Sequence, residues 1–219
     1  MNKRALFVSG GHLDINWSSR YVKEHDYQMI TAIDGGLEKT EELGIVPTHI
    51  VGDFDTVKEN VLKKYIGNKN IVVRRLCPEK DATDTEVAVN MAIEEGCDEV
   101  DIIAGTGTRI DHTIANIHTL QLFLEKGINA IIANENNRIR LINKNIKIHR
   151  SHAFGKYISF LPFTDIVEGL TLKGFKYPVK DMSVKKSEWM SLGVSNEITD
   201  EICYVEIKKG IVIMIESDD

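Results

Sequence analysis

The chain has 219 residues, 42% hydrophobic and 27% charged, the make-up of an ordinary folded protein rather than a disordered or fibrous one. A formal net charge of -6, with no long basic run, argues against nucleic acid as a main partner. The three cysteines, Cys77, Cys97 and Cys203, fit neither a disulfide framework nor a zinc ligand set and point to a reducing cytoplasm.

Ala5 to Val8 reads as a short buried strand, too short for a signal segment or a membrane span, and runs into the flexible turn Ser9-Gly10-Gly11. The layout repeats from Tyr27 to Ile33, closed by Asp34-Gly35-Gly36, with a helix over Leu37 to Leu43 stopped at Gly44. Ile50-Val51 leads into Gly52-Asp53-Phe54-Asp55-Thr56. A charged amphipathic helix follows from Val57 to Ile66, then a strand at Ile71 to Val73. The acidic cluster Asp81-Ala82-Thr83-Asp84-Thr85-Glu86 opens a helix over Glu86 to Glu95. A strand over Val100 to Ala104 meets Gly105-Thr106-Gly107, and a helix over Asp111 to Lys126 precedes a strand over Asn129 to Ala133. Strands alternating with helices predict an α/β sheet with its ligand crevice at the carboxyl ends of the strands.

After about Asn134 short, alternating or β-branched runs replace the helical patterns, at 138–142, 146–149, 156–161, 167–172, 202–207 and 211–215. They predict a smaller all-β domain over 137–219 behind an α/β domain over 1–136. Lys208-Lys209-Gly210 reads as a hairpin turn between the last two runs.

The chemistry sits in the strand exits. Side chains alternate along a strand, so Asp53 and Asp55 point the same way while Phe54 turns into the core. Paired carboxylates repel unless a hard divalent cation, itself carrying phosphate oxygens, offsets them. With Asp84 close by in sequence, the simplest joint reading is a magnesium-phosphate site. Taken singly, each cluster is equally a solvated turn or a helix cap. In the stretch from Gly105 to His112, glycines let backbone amides face an anion, a helix N-terminus adds partial positive charge, and Arg109 offers a fork of donors to phosphate. A tight turn capped by Asp111 is the structural alternative, and His112 is read as a binding residue.

Five motifs in this order, Asp34-Gly35-Gly36, Gly52 to Thr56, Lys80 to Glu86, Gly105 to Ile117 and Ser195-Asn196-Glu197, resemble the thiamine pyrophosphokinase family across nearly the whole chain. The resemblance implies a Rossmann-like α/β domain followed by a β-sandwich. It also implies a homodimer with its pocket shared between subunits, and transfer of the pyrophosphoryl group of ATP to the thiamine hydroxyl with release of AMP. By that similarity Asp53, Asp55 and Asp84 match the magnesium carboxylates and, with Arg109, the catalytic set. Asp34, Gly35, Gly36, Asp81, Thr83, Gly107, Thr108, Arg109, Asp111 and His112 match nucleotide and phosphate positions, while Asp111, Ser195 and Asn196 match thiamine positions. Magnesium is the implied cofactor, ATP the co-substrate, the cytoplasm the setting, and neither nucleic acid nor membrane a partner.

The chain departs from the family pattern at Ala104 and Thr108, where glycine is frequent, and at Leu192-Gly193-Val194, which lacks an aromatic before Ser195. That leaves Trp189 and Trp17 as candidates for stacking on thiamine. Two rival readings keep the motifs: transfer of a single phosphoryl group or to another small alcohol, and a sensor that binds without turnover.

Overall fold

The computed structural model describes residues 2–55, 57–76, 83–188 and 193–219; Thr56, Cys77, Asp81 and Trp189 therefore lie outside the described residues. The chain divides into two compact units, residues 1–135 and 136–219.

The first unit alternates β1 (Arg4–Val8), α1 (Ile15–Lys23), β2 (Met29–Ile33), α2 (Gly36–Leu43), β3 (His49–Gly52), α3 (Glu59–Tyr65), β4 (Val72–Arg75), α4 (Asp84–Glu94), β5 (Glu99–Ile103), α5 (Ile110–Glu125) and β6 (Asn129–Ala133). Its strands are all parallel, in the order β6-β5-β1-β2-β3-β4. The chain walks outward from β1 to β4, then returns to the other side of β1 with β5. The connections after β1 and β5 thus part at the sheet's switch point, the place where open α/β sheets take ligands.

Local signals mark the helix ends. Asp14 caps α1 by accepting the Trp17 N–H at 2.7 Å, Gly44 ends α2 at φ 67°, and Thr83 and Glu86 form a reciprocal capping box on α4. The buried centre strands β1 and β5 are almost wholly apolar, as parallel strands covered on both faces must be. Arg4 and Glu99 are the partly exposed first residues of these strands, and the buried exception is Asp101, 2% exposed, which accepts Arg4 Nε at 3.0 Å and the Tyr27 hydroxyl at 2.5 Å. On the β3 side Phe54 joins Ala32, Leu37, Ile50, Val57 and Val61 in one apolar cluster, so the turn after β3 is pinned by a buried ring worth about 2 kcal/mol.

The second unit contains β7 (Asn137–Ile142), β8 (Ile146–His149), a single 3-10 turn (Arg150–His152), β9 (Tyr157–Pro162), β10 (Ile166–Lys173), β11 (Val179–Lys185), β12 (Asn196–Glu197), β13 (Ile202–Glu206) and β14 (Val212–Ser217). Within it β12-β9-β14-β7 face β11-β10-β13-β8, and residues from both layers, among them Phe160, Val167, Leu172, Val205 and Met214, share one core: a β-sandwich. The expected hairpin at Lys208-Lys209-Gly210 is absent. β13 pairs with β8 and β10 whereas β14 pairs with β7 and β9, so this connection crosses from one sheet to the other. It is held on the way by Glu168, whose N–H donates to Lys209 O and whose carbonyl accepts the Lys208 N–H. Three elements carry no sequence expectation: α1, the short β12, and β11, whose pairing with β10 is interrupted by register shifts.

Candidate active site

At the carboxyl edge of the first unit, the β1 exit is laced to the β5 exit. Gly11 N–H donates to Ala104 O at 2.8 Å and His12 N–H to Thr106 O at 2.7 Å. Only glycine fits at position 11, where a Cβ would stand 2.2 Å from Thr106 O. Gly36 is equally constrained, since a Cβ there would meet Val8 O at 1.8 Å, and it brings the start of α2 down onto the end of β1.

The exits of β2, β3 and β5 carry the unit's non-glycine residues with left-handed backbone among those described: Asp34 (φ 51°), Phe54 (φ 64°) and Ala104 (φ 52°). Each such residue costs about 1 to 3 kcal/mol and persists where the surroundings over-determine it, which is typical of sites. Asp34 Oδ1 accepts the Phe54 N–H at 3.4 Å, and Asp53 Oδ1 accepts the Asp55 N–H at 3.1 Å.

Burial first, then the charges of Asp84, Asp53 and Asp55, hold the Asp34 carboxyl above the usual carboxylate range. Four aspartates from two strand exits and the first turn of α4 therefore share one electrostatic neighbourhood. Among the described residues no three His, Cys, Asp or Glu side chains stand close enough together to cage a metal ion. The donor set nevertheless fits magnesium, whose oxygen shell commonly takes one or two carboxylates and fills the rest with phosphate oxygens and water.

Gly35 and Gly36 form the first turn of α2. Thr83 is the α4 cap, its hydroxyl accepting the Glu86 N–H at 3.2 Å, and Asp84 is the first residue of that helix. In the loop after β5, Gly107 N–H donates to Thr113 Oγ1 at 3.3 Å and Asn116 Nδ2 to Gly105 O at 2.7 Å, so α5 fixes its own entry loop; Thr108 is exposed. Arg109, not Asp111, occupies the cap position of α5. Its guanidinium is exposed and grips Asp111, Nη2 to Oδ2 at 2.6 Å. That contact raises the guanidinium pKa and is the main reason the Asp111 carboxyl lies below the ordinary range. His112 is exposed, 4.0 Å from the same carboxylate.

In the second unit the two expected thiamine residues differ in kind. Asn196, 1% exposed, spends its amide on the chain: Oδ1 accepts the Tyr177 and Glu197 N–H groups, and Nδ2 donates to Tyr177 O. Ser195 is exposed at φ 56°, its N–H given to Ser159 Oγ at 3.0 Å. Asn196 is thus the residue that positions, and Ser195 the one that presents a side chain.

The sequence expectation missed His12, Asn134 and Glu135 at this edge. Asn134 Nδ2 donates to Thr106 Oγ1 at 2.9 Å, and Glu135 Oε1 lies 3.3 Å from His12 Nε2. The available signal was position alone, two polar residues directly after the buried strand β6.

Fold and site together define a two-unit enzyme of the transferase class, a parallel α/β sheet with an acidic, glycine-lined carboxyl edge followed by a β-sandwich. Residues 20–132 match the thiamin pyrophosphokinase catalytic domain, and residues 143–212 match the vitamin B1 binding domain of thiamin pyrophosphokinase. A thiamine pyrophosphokinase of Bacillus subtilis (strain 168) is 31% identical over 199 residues, 91% of either chain. A crystal structure of thiamine pyrophosphokinase from Bacillus subtilis superposes with a TM-score of 0.86 at 28% identity, covering 99% of this chain and 100% of that one. One of thiamin pyrophosphokinase from Geobacillus thermodenitrificans does so at 0.85 and 27%, covering 99% and 98%. The chain belongs to the thiamin pyrophosphokinase family. Among the described residues no helix is long and apolar enough to cross a membrane.

Proposed function

We propose that the protein transfers the pyrophosphoryl group of ATP to the hydroxyl of thiamine, giving thiamine diphosphate and AMP with magnesium as cofactor. The observation that carries this reading is the convergence of Asp34, Asp53, Asp55 and Asp84 beside a glycine-lined backbone edge, in a chain of this family. In the reaction the thiamine oxygen bonds to the β-phosphorus while the bond from that phosphorus to the bridging oxygen of AMP breaks, and the hydroxyl proton is lost to solvent. Magnesium, when bound, supplies positive charge against the phosphate oxygens.

Asp53, Asp55 and Asp84 are the residues that would hold it. Asp34 supports them through the Phe54 N–H, fixing the turn that carries Asp53 and Asp55. Arg109, parked on Asp111, trades that carboxylate for a phosphate oxygen and neutralises charge as it spreads over the phosphoryl group. Gly35, Gly36, Gly107 and Thr108 line the phosphate path with backbone, and His112 adds a donor at its rim. Because phosphoryl transition states are loose, positioning accounts for most of the rate and a dedicated base is dispensable. Ser195 contributes to the thiamine side. Two copies share the pocket in a homodimer, a reading supported by the exposed apolar side chains Ile110 and Ile114 on α5, 62% and 51% accessible.

ATP labelled in its β-phosphate tests the transfer. The label must appear wholly in the thiamine ester; label recovered in ADP instead would mean that one phosphoryl group moves. Chelation must stop turnover and magnesium restore it.

A further inference from the structure

In the β-sandwich, β7 runs antiparallel to β14 with Arg138 opposite Glu216, Arg140 opposite Met214 and Ile142 opposite Val212. Cross-strand partners share a face, and Ile142, Val212 and Met214 belong to the core between the sheets. Arg138 and Arg140 therefore both stand on the inner face of β7, two residues apart, with one carboxylate between them.

That carboxylate is fully committed. Glu216, 1% exposed, receives Arg138 Nε at 2.7 Å on Oε2 and Arg138 Nη2 at 2.6 Å on Oε1, which also accepts the Phe154 N–H at 3.2 Å. Arg138 gives a further bond to His152 O at 3.0 Å and lies over the Phe154 ring. Arg140 has none of this. Its Nε is buried with no acceptor, and no hydrogen bond or ion pair from its guanidinium occurs among the described residues. Burial pulls its pKa down; Glu216 opposes this and Arg138 adds to it. A guanidinium does not escape by losing its proton, so the deficit has to be met by an acceptor. Methionine opposite is a poor one.

We infer that Arg140 is the binding group for a small oxyanion, of the carboxylate or phosphate class, on the inner face of β7. A planar pair of oxygens matches the guanidinium fork and restores the balance that Glu216 provides one row away.

The test uses the full chain with specifically labelled arginine. The 15Nε–1Hε resonance of Arg140, identified by its loss in Arg140→Lys, is followed while formate or inorganic phosphate replaces chloride at constant ionic strength. The expected result is a saturable shift of this resonance with at least one of the two anions. A thermal midpoint that rises by several degrees in the wild type and stays flat in Arg140→Met is expected alongside it. A resonance unmoved by both anions overturns the inference, as does a midpoint rise of equal size in Arg140→Met. A shift that tracks protein dilution rather than added anion also overturns it, because the acceptor then comes from a second copy.

Discussion

The Asp34 carboxylate accepts the backbone N–H of Phe54, joining the exit of β2 to the exit of β3 across the edge where the aspartates gather. Both residues have left-handed backbone, at φ 51° and 64°. The glycine at 52 follows from the same contact, since a Cβ there would lie 2.5 Å from Asp34 Oδ1. Two motifs eighteen positions apart in sequence are thus halves of one device that aims Asp53 and Asp55.

Asp55→Asn removes one negative charge from that device without touching the core, because Asp55 is exposed and its N–H bond to Asp53 survives the change. Transfer is expected to fall by about 100-fold or more, in the range seen when one charge-stabilising group is lost, with the thermal midpoint unchanged. AMP release and a melting curve on one preparation check it. Activity near the wild-type level would remove Asp55 from the site.

Gly11→Ala places a methyl group 2.2 Å from Thr106 O and 2.5 Å from Ala104 O, both backbone atoms that cannot swing away. The expected loss is about 3 kcal/mol, the upper end for overpacking, accompanied by loss of transfer. Gly44→Ala is the control: its φ is 67° with nothing within 4 Å, so only backbone strain of about 1 kcal/mol applies and activity is kept. Urea denaturation of the pair measures the difference.

Asp101→Ala takes the buried carboxylate from the Tyr27 hydroxyl and from Arg4, which keeps only the longer contact to Glu99 at 3.4 Å. Removing one partner of a buried pair costs about 3 to 5 kcal/mol, whereas Tyr27→Phe, which leaves the ion pair intact, is expected to cost about 2 kcal/mol. Equal losses in the two variants would contradict this.

His49, buried at the start of β3, has its pKa pulled below the ordinary 6.5, chiefly by burial. The folded chain then holds fewer protons than the unfolded chain just below 6.5, so the contribution to stability is complete above that pH and is lost as pH falls through the folded value. The stability of the wild type is expected to drop more steeply between pH 7 and pH 5 than that of His49→Gln, as denaturation at stepped pH will show.

The α/β half of the fold was legible because its buried strands are apolar runs and its helices stop at glycines 44, 96 and 127, all at positive φ. The helix α1 was not, because its nine residues bring only Trp17, Tyr21 and Val22 to the core side and Ser18 is the fully buried one. β11 escaped for a related reason: of Val179–Lys185 only Val184 is buried, so alternation is lost at an irregular sheet edge. Lys208 to Gly210 has the composition of a hairpin turn, and nothing local tells a turn within a sheet from a crossing between two sheets. At the site, the aspartates stood out because carboxylates cluster there against their own repulsion. The bond from Phe54 to Asp34 and the use of Asn196 as a strut are tertiary contacts that no residue pattern encodes, whereas the grip of Arg109 on Asp111 joins residues only two apart.

Incubating the purified protein with thiamine, ATP and magnesium and identifying both products by mass tests the transfer itself. Thiamine diphosphate and AMP in equal amounts are the expected products; ADP with thiamine monophosphate, or no product beside demonstrable binding of both substrates, would rule pyrophosphoryl transfer out.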